Sequence, residues 1–279
     1  MTKEISVIID GKTVSFVNKS KFFLIAGPCA VESERLSVET AKRIKDISLR
    51  LKLPFIFKAS YKKANRTSGS SFRSIGVIES LDILATVREK VKVPVLTDIH
   101  SEIEAEIAAE YVDVLQIPAF LSRQTEILEA AGETGKIVNI KKGQFLSPND
   151  MIHQIKKVES TGNKKIMLTE RGTTFGYQNL VVDMRSFEIM KKFGYPVVFD
   201  ATHSVQMPSK ENGVSGGNPE FIEPLSKAAV AVGINGLFIE THPNPKKALS
   251  DASSMLPLNK LESILKRLLS IHLASSQYV

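Results

Sequence analysis

Eight short segments rich in Val, Ile, Leu and Phe alternate with helical patterns along almost the whole chain. Several of them (FFLIA, FIF, VPVL, GLFI) are apolar without a break, as strands are when both sheet faces are covered. With a hairpin signal at Asp10-Gly11, these observations predict an α/β protein, a closed (β/α)8 TIM barrel with an N-terminal β-hairpin. In chain order, ISVIIDGKTVSF (5–16) alternates around Asp10-Gly11 and gives the hairpin, expected to cover the N-terminal end of the barrel. The predicted strands are 22–26, 55–58, 93–97, 114–117, 137–140, 165–169, 197–199 and 236–239. Between them fall predicted helices at 34–52, 75–91, 101–111, 123–131, 147–160, 180–193 and 219–232. Ser101 with Glu104 reads as a capping box, and Ser147 precedes Pro148 at a first-turn position. A last helix at 258–274 should pack outside the barrel. Strand–helix alternation requires parallel pairing through crossover helices. An open doubly wound sheet is the alternative, but no G-x-G-x-x-G follows the first strand. Without a linker or low-complexity segment, residues 1–279 are expected to form a single domain, with the hairpin within 1–20.

At 279 residues the chain is long enough to bury a substantial core. Its 43% hydrophobic and 24% charged residues are globular proportions that argue against disorder. No apolar run reaches the ~18 residues of a membrane helix, and MTKEISVIIDGK lacks the apolar stretch of a signal peptide. A cytoplasmic protein with no membrane partner is expected. The single cysteine, Cys29, fits a reducing compartment. A net charge of +7 favours anionic partners. The basic residues come singly or in pairs, Trp is absent and no zinc-finger or RNA-binding signature occurs, so no nucleic-acid partner is expected. A serine-nucleophile elbow and a P-loop are missing too.

A barrel places its chemistry at the C-terminal ends of its strands. There the sequence has Gly27-Pro28-Cys29, Lys58 with Lys63, Asn65 and Arg66, then Asp98, Gln116, Lys141-Lys142, Glu170-Arg171, Asp200 with His203, and Glu240 with His242. Loops are hydrophilic anyway, which accounts for scattered charges but less well for residues suited to anions or metals at almost every strand end. One subset is cationic: Lys58, Lys63, Arg66, Lys141 and Arg171 suit substrates with several anionic groups. Any one of these lysines taken alone reads as a solvated surface residue. A second subset, Cys29, His203, Glu240 and Asp251, offers a thiolate, an imidazole and two carboxylates to a divalent metal. Taken singly, Cys29 reads as a buried small hydrophobe and His203 as a general base. GVSGGNP (213–219) is either a phosphate cradle or part of a mobile lid, and the polar stretch 204–217 favours the lid.

Eight stretches carry a family resemblance: IAGPCAVES (25–33), FKASYKKANRTSGSSFR (57–73), TDIH (97–100), LQIPAFLSRQT (115–125), VNIKKGQF (138–145), LTERGTTFGYQNLVVDMRS (168–186), FDATHSVQMP (199–208) and FIETHPNPKKALSDASSMLPL (238–258). On these the chain closely resembles the 3-deoxy-D-manno-octulosonate 8-phosphate synthases, or 2-dehydro-3-deoxyphosphooctonate aldolases. The neighbouring 3-deoxy-D-arabino-heptulosonate 7-phosphate synthases share the AGPC motif but usually read Lys-Pro-Arg-Thr-Ser where this chain has KANRTS (63–68). The resemblance implies condensation of phosphoenolpyruvate with D-arabinose 5-phosphate and water, releasing phosphate, in lipopolysaccharide sugar biosynthesis. It implies phosphoenolpyruvate contacts at Lys58, Lys63, Lys141 and Arg171. Asn65, Arg66 and Thr67 would hold the arabinose phosphate, with Arg123 reaching a neighbouring subunit's site. Asp98 and Gln116 would order the site; Lys58, Asp98, His203 and Asp251 are the catalytic candidates. Cys29 and SDAS (250–253) match the metal-dependent branch, with Cys29, His203, Glu240 and Asp251 as ligands for Zn2+, Fe2+, Mn2+ or Co2+. That metal would orient the aldehyde or activate the water. The family is also homotetrameric. Where this chain has Arg66-Thr67-Ser68 the family often reads Arg-Ser-Ser, which keeps a hydroxyl at Thr67.

Overall fold

The computed structural model describes residues 2–17, 21–64, 72–177, 179–207 and 216–276. It begins with the hairpin, β1 (Ser6–Ile9) and β2 (Lys12–Ser15), in the register Ile9↔Lys12. Asp10 and Gly11 take φ of 51° and 71°, the left-handed pair that a two-residue turn needs to match strand twist.

Eight parallel strands follow: β3 (Phe23–Gly27), β4 (Phe55–Lys58), β5 (Val95–Asp98), β6 (Val114–Ile117), β7 (Ile137–Lys141), β8 (Ile166–Glu170), β11 (Val197–Asp200) and β14 (Gly236–His242). Each pairs with the next, β11 pairs with β14, and β14 pairs back onto β3, so the sheet closes into a (β/α)8 barrel. The helices α1 (Glu34–Leu51), α2 (Val77–Val87), α3 (Glu102–Tyr111), α4 (Thr125–Glu133), α5 (Met151–Ser160), α6 (Arg185–Lys191), α7 (Ile222–Val232) and α8 (Leu258–Ser276) lie in the crossovers and after the last strand. Between helices and barrel lies the larger core, with Leu24, Phe57, Val95, Leu115, Val138, Leu168, Phe199 and Leu237 on the outer strand faces. Two short antiparallel ribbons complete the described fold: β9 (Thr173–Phe175) with β10 (Asn179–Val181), and β12 (Gln206–Met207) with β13 (Gly216–Gly217). A final two-residue strand, β15 (Leu256–Pro257), extends from β14.

The barrel interior is layered. Ile25, Ile56, Leu96, Val114, Ile137, Met167, Val198 and Phe238 form an apolar layer, closed from below by the hairpin's Ile5 and Phe16. Because strand side chains alternate between faces, the residues two positions on also point inward. Those residues are Gly27, Lys58, Asp98, Gln116, Asn139, Thr169, Asp200 and Glu240. An apolar floor therefore carries a ring of polar and charged groups directly above it.

Three expectations need correction. The predicted helix 180–193 shrinks to Arg185–Lys191, because residues 179–181 pair with 173–175 across a turn at Gly176 (φ 65°). The helix predicted at 75–91 starts at Val77 after Gly76 (φ 132°), and its last turn, Arg88–Lys92, widens into a π-helical turn. At Ser101 only half of the capping box forms. Ser101 Oγ accepts from the Glu104 amide, while the Glu104 carboxylate serves Tyr61, Lys62 and His100 instead. The other box is complete: Ser147 and Asp150 cap each other's backbone. Of the stretch predicted as a lid, 204–217, residues 208–215 lie outside the described residues, and its ends pair as β12 and β13.

Candidate active site

The polar ring opens into a cleft at the C-terminal mouth of the barrel, lined among others by Lys58, Lys63, Asp98, Lys141, Arg171 and His203. Four of the cations that line it are nearly buried: Lys58 is 1% exposed, Lys63 8%, Lys141 6% and Arg171 6%. Their partners differ. Lys58 Nζ donates to Glu240 Oε1 at 2.7 Å and to Ser60 Oγ at 3.1 Å, with Asp98 Oδ2 at 3.6 Å. Burial works to lower its pKa, but the Glu240 and Asp98 carboxylates outweigh that and raise it. Lys141 Nζ lies 2.6 Å from Asp200 Oδ2. By contrast, Lys63 donates to the neutral Ser60 Oγ at 2.9 Å, and Arg171 Nη2 to Gln206 Oε1 at 3.2 Å. Arg171 Nη1 is buried with no partner among the described residues, and burial depresses the guanidinium's pKa. A buried cation with an unused donor is a seat for an anion.

Asp98 stands opposite these cations. Burial works against its charge, but Lys58, Lys63 and Lys141 hold its pKa well below the carboxylate range, aided by a hydrogen bond from Gln116. Ser60 Oγ donates to Asp98 Oδ2, so Ser60 joins two lysines and the carboxylate. Asp200 fixes His203 twice, accepting from its amide at 2.9 Å and holding Nδ1 at 2.7 Å. The other ring nitrogen, Nε2, thereby lies 3.6 Å from Glu240 Oε2.

The predicted metal ligands meet in part. Cys29 Sγ, a Glu240 oxygen and an Asp251 oxygen lie within 4.8 Å of one another. Cys29 Sγ donates to Asp251 Oδ2 at 2.7 Å and sits 3.0 Å from Ser250 Oγ. His203 is outside that group of three and reaches it only through Glu240. Burial first, then the Asp251 and Glu240 charges, raise the thiol's pKa. Glu240 Oε2 is buried without a hydrogen bond among the described residues. A thiol crowded by two carboxylates, one with an idle oxygen, is a donor set that a divalent cation would relieve.

Other sequence candidates fall elsewhere. Gln116, expected among the substrate-binding residues that order the site, is fully buried, donates to Asp98 Oδ1 and is not among the residues that line the cleft. Arg123 is exposed and outside the cleft of its own chain. Asn65, Arg66 and Thr67 lie outside the described residues. Lys142, next to Lys141, is fully buried in a cage of the Gly143, Leu146 and Gly172 carbonyls with Thr173 Oγ1 and Glu170, and so ties two loops together. Sequence reasoning missed Ser60, Gln144, Gln206 and Ser250 as site residues. Ser60 carried a signal, two positions beyond Lys58 and so on the same inward face, and Ser250 lay in the SDAS stretch without a role given to it.

Residues 6–273 match the model of the DAHP synthetase I family. The chain belongs to that family. Relatives named "2-dehydro-3-deoxyphosphooctonate aldolase" are similar along nearly the whole chain. That of Acidithiobacillus ferrooxidans is 56% identical over 257 residues, 92% of each chain. That of Methylibium petroleiphilum is 55% identical over 256 residues, 90% of each. That of Trichlorobacter lovleyi is 53% identical over 268 residues, 96% of this chain and 97% of its own. No helix among the described residues is long and apolar enough to cross a membrane.

Proposed function

We propose that this chain condenses phosphoenolpyruvate with D-arabinose 5-phosphate and water, giving 3-deoxy-D-manno-octulosonate 8-phosphate and inorganic phosphate. It thus makes a lipopolysaccharide sugar. The observation that carries this reading is the convergence of Lys58, Lys63, Lys141 and Arg171 on one cleft, with Lys63 and Arg171 bonded only to neutral side chains among the described residues. Two phosphorylated substrates bring several negative charges together, and such a cluster offsets their repulsion and fixes their approach.

Arg171 and Lys63 receive the phosphate and carboxylate of phosphoenolpyruvate, and Lys58 and Lys141 complete that pocket. By its resemblance to the family, the KANRTS motif supports Asn65, Arg66 and Thr67 as the residues that hold the arabinose phosphate. The enol carbon attacks the sugar aldehyde, water adds to the carbon bearing phosphate, and the resulting hemiketal phosphate loses phosphate by C–O cleavage. Asp98, held ionised at the cleft wall, orders Lys58 and Ser60 around the reacting carbon. His203, its Nδ1 fixed by Asp200, presents Nε2 toward the same centre. Cys29, Glu240 and Asp251, with His203 beside them, would hold the divalent ion. When bound, such an ion supplies Lewis acidity toward the aldehyde oxygen or the water. Action in the cytoplasm as a homotetramer, with Arg123 reaching a neighbouring cleft, completes the reading.

The test is phosphate release from phosphoenolpyruvate by metal-loaded protein with each of two aldoses. Release with arabinose 5-phosphate alone is expected. Release with erythrose 4-phosphate instead would move the chain to heptulosonate synthesis, and release with neither would overturn the reading.

A further inference from the structure

Four neighbouring strands contribute one side chain each to an unbroken buried chain of hydrogen bonds. Thr169 Oγ1 on β8 donates to Asn139 Oδ1 on β7 at 2.7 Å, and Asn139 Nδ2 donates to Gln116 Oε1 on β6 at 2.8 Å. Gln116 Nε2 then donates to Asp98 Oδ1 on β5 at 2.5 Å. Thr169, Asn139 and Gln116 are fully buried, and sheet register sets Asp98 beside Gln116 and Gln116 beside Asn139. The direction of the chain is forced from one end. An ionised carboxylate only accepts, so Gln116 must turn its NH2 toward Asp98 and its oxygen toward Asn139. Asn139 must then present its own NH2 to Gln116, which leaves its oxygen for the Thr169 hydroxyl. Either amide turned over would set like groups against each other.

We infer that Asn139 and Thr169 are positioning residues for the condensation, acting through Gln116 to fix the Asp98 carboxylate at the cleft wall. The inference rests on the proposed reaction, in which Asp98 orders Lys58 and Ser60 around the reacting carbon. Neither Asn139 nor Thr169 lines the cleft. With the Thr169 donor gone, the Asn139 oxygen is buried without a donor, and the Asn139 amide, now held at one end only, shifts and carries Gln116 with it. Asp98 Oδ1 is then held by a displaced donor, while Oδ2 keeps Ser60. A misplacement of about 1 Å relayed from outside the chemistry can cost a hundredfold in rate.

The experiment compares Thr169→Val, Thr169→Ser and the double variant Asn139→Leu/Thr169→Val with the parent enzyme, using phosphate release and thermal melting. Thr169→Val should lower kcat about tenfold or more, with KM for both substrates within about threefold of the parent. Thr169→Ser, which restores the donor, should return kcat to near the parent value. The double variant moves the orphaned acceptor from Asn139 Oδ1 to Gln116 Oε1, so its melting temperature should stay near that of Thr169→Val while kcat falls at least as far. Parental kcat in folded Thr169→Val, or a kcat that recovers in the double variant, overturns the inference and assigns the chain of hydrogen bonds to folding alone. Should Thr169→Val not fold, comparing the double variant with Thr169→Ser separates positioning from folding in the same way. Failure of the proposed reaction is told apart by the parent enzyme, which would then release no phosphate.

Discussion

Gly27 shows how tightly single residues are specified around the cleft. A Cβ placed there would sit 2.1 Å from the Lys58 carbonyl oxygen and 3.0 Å from its carbon, and both belong to barrel backbone. Gly27→Ala should therefore destabilise the fold by about 3 kcal/mol and displace Lys58, read as an earlier urea midpoint and lost activity. Cys29→Ala is expected to fold, since a buried alanine suits that pocket, but to retain no stoichiometric metal after dialysis. Chelation of the parent should abolish phosphate release and re-addition of a divalent ion should restore it; full activity in chelator would refute the metal site. At Arg171, whose Nη1 has no partner among the described residues, substitution by Ala should lower kcat/KM for phosphoenolpyruvate by about a hundredfold. Melting should change little there, because among the described residues the side-chain bond lost is to Gln206.

At the scale of elements, α3 does more than cover the barrel. Its first-turn Glu104 accepts from Tyr61 Oη, Lys62 Nζ and the His100 amide, and so ties the loops after β4 and β5 to the helix. Burial opposes its charge, yet these donors hold its pKa below the ordinary Glu range, and Tyr61 is pushed up by burial and by Glu104. Glu104→Ala leaves the buried Tyr61 hydroxyl unpaired and should cost about 2 kcal/mol in chemical denaturation. Glu104→Gln, which keeps an acceptor, should cost less. The pairing of Ser101 with Glu104 was visible in the sequence as a capping box. That the carboxylate turns away from the cap was not, because two of its competing donors, Tyr61 and Lys62, come from residues about 40 positions earlier.

Across the whole molecule, ionisation couples the site to acid stability. Asp98, Asp200 and Glu240 are each held below their ordinary pKa by neighbouring cations against the pull of burial. At the surface, Arg267 and Lys227 hold Glu223 down to about 2, clasping α7 to α8. A carboxylate with a depressed native pKa contributes stability above its unfolded pKa and loses it as pH falls through the native value. The melting temperature should thus stay level from neutral pH to about pH 5 and fall below about pH 4, as the unfolded chain takes up protons that the native state refuses. A melting temperature that is flat down to about pH 3 would contradict this.

The sequence by itself determined the eight strands, the hairpin turn and the family. Apolar runs mark strands covered on both faces, Asp10-Gly11 tolerates the left-handed turn, and the motifs lie at strand ends. It also carried the inward layer, since Ile56-x-Lys58, Leu96-x-Asp98, Ile137-x-Asn139 and Phe238-x-Glu240 repeat one two-residue step from floor to ring. Only the tertiary structure decided which of those polar groups meet. Lys58 finds Glu240 across 182 positions and Cys29 finds Asp251 across 222. Strand register and barrel closure set these partnerships, and both are properties of the closed sheet that no local spacing encodes. For the same reason residues 180–181 of β10 read as helix: the ribbon's three-residue strands gain their hydrogen bonds from each other across Gly176, while propensity alone fits either form.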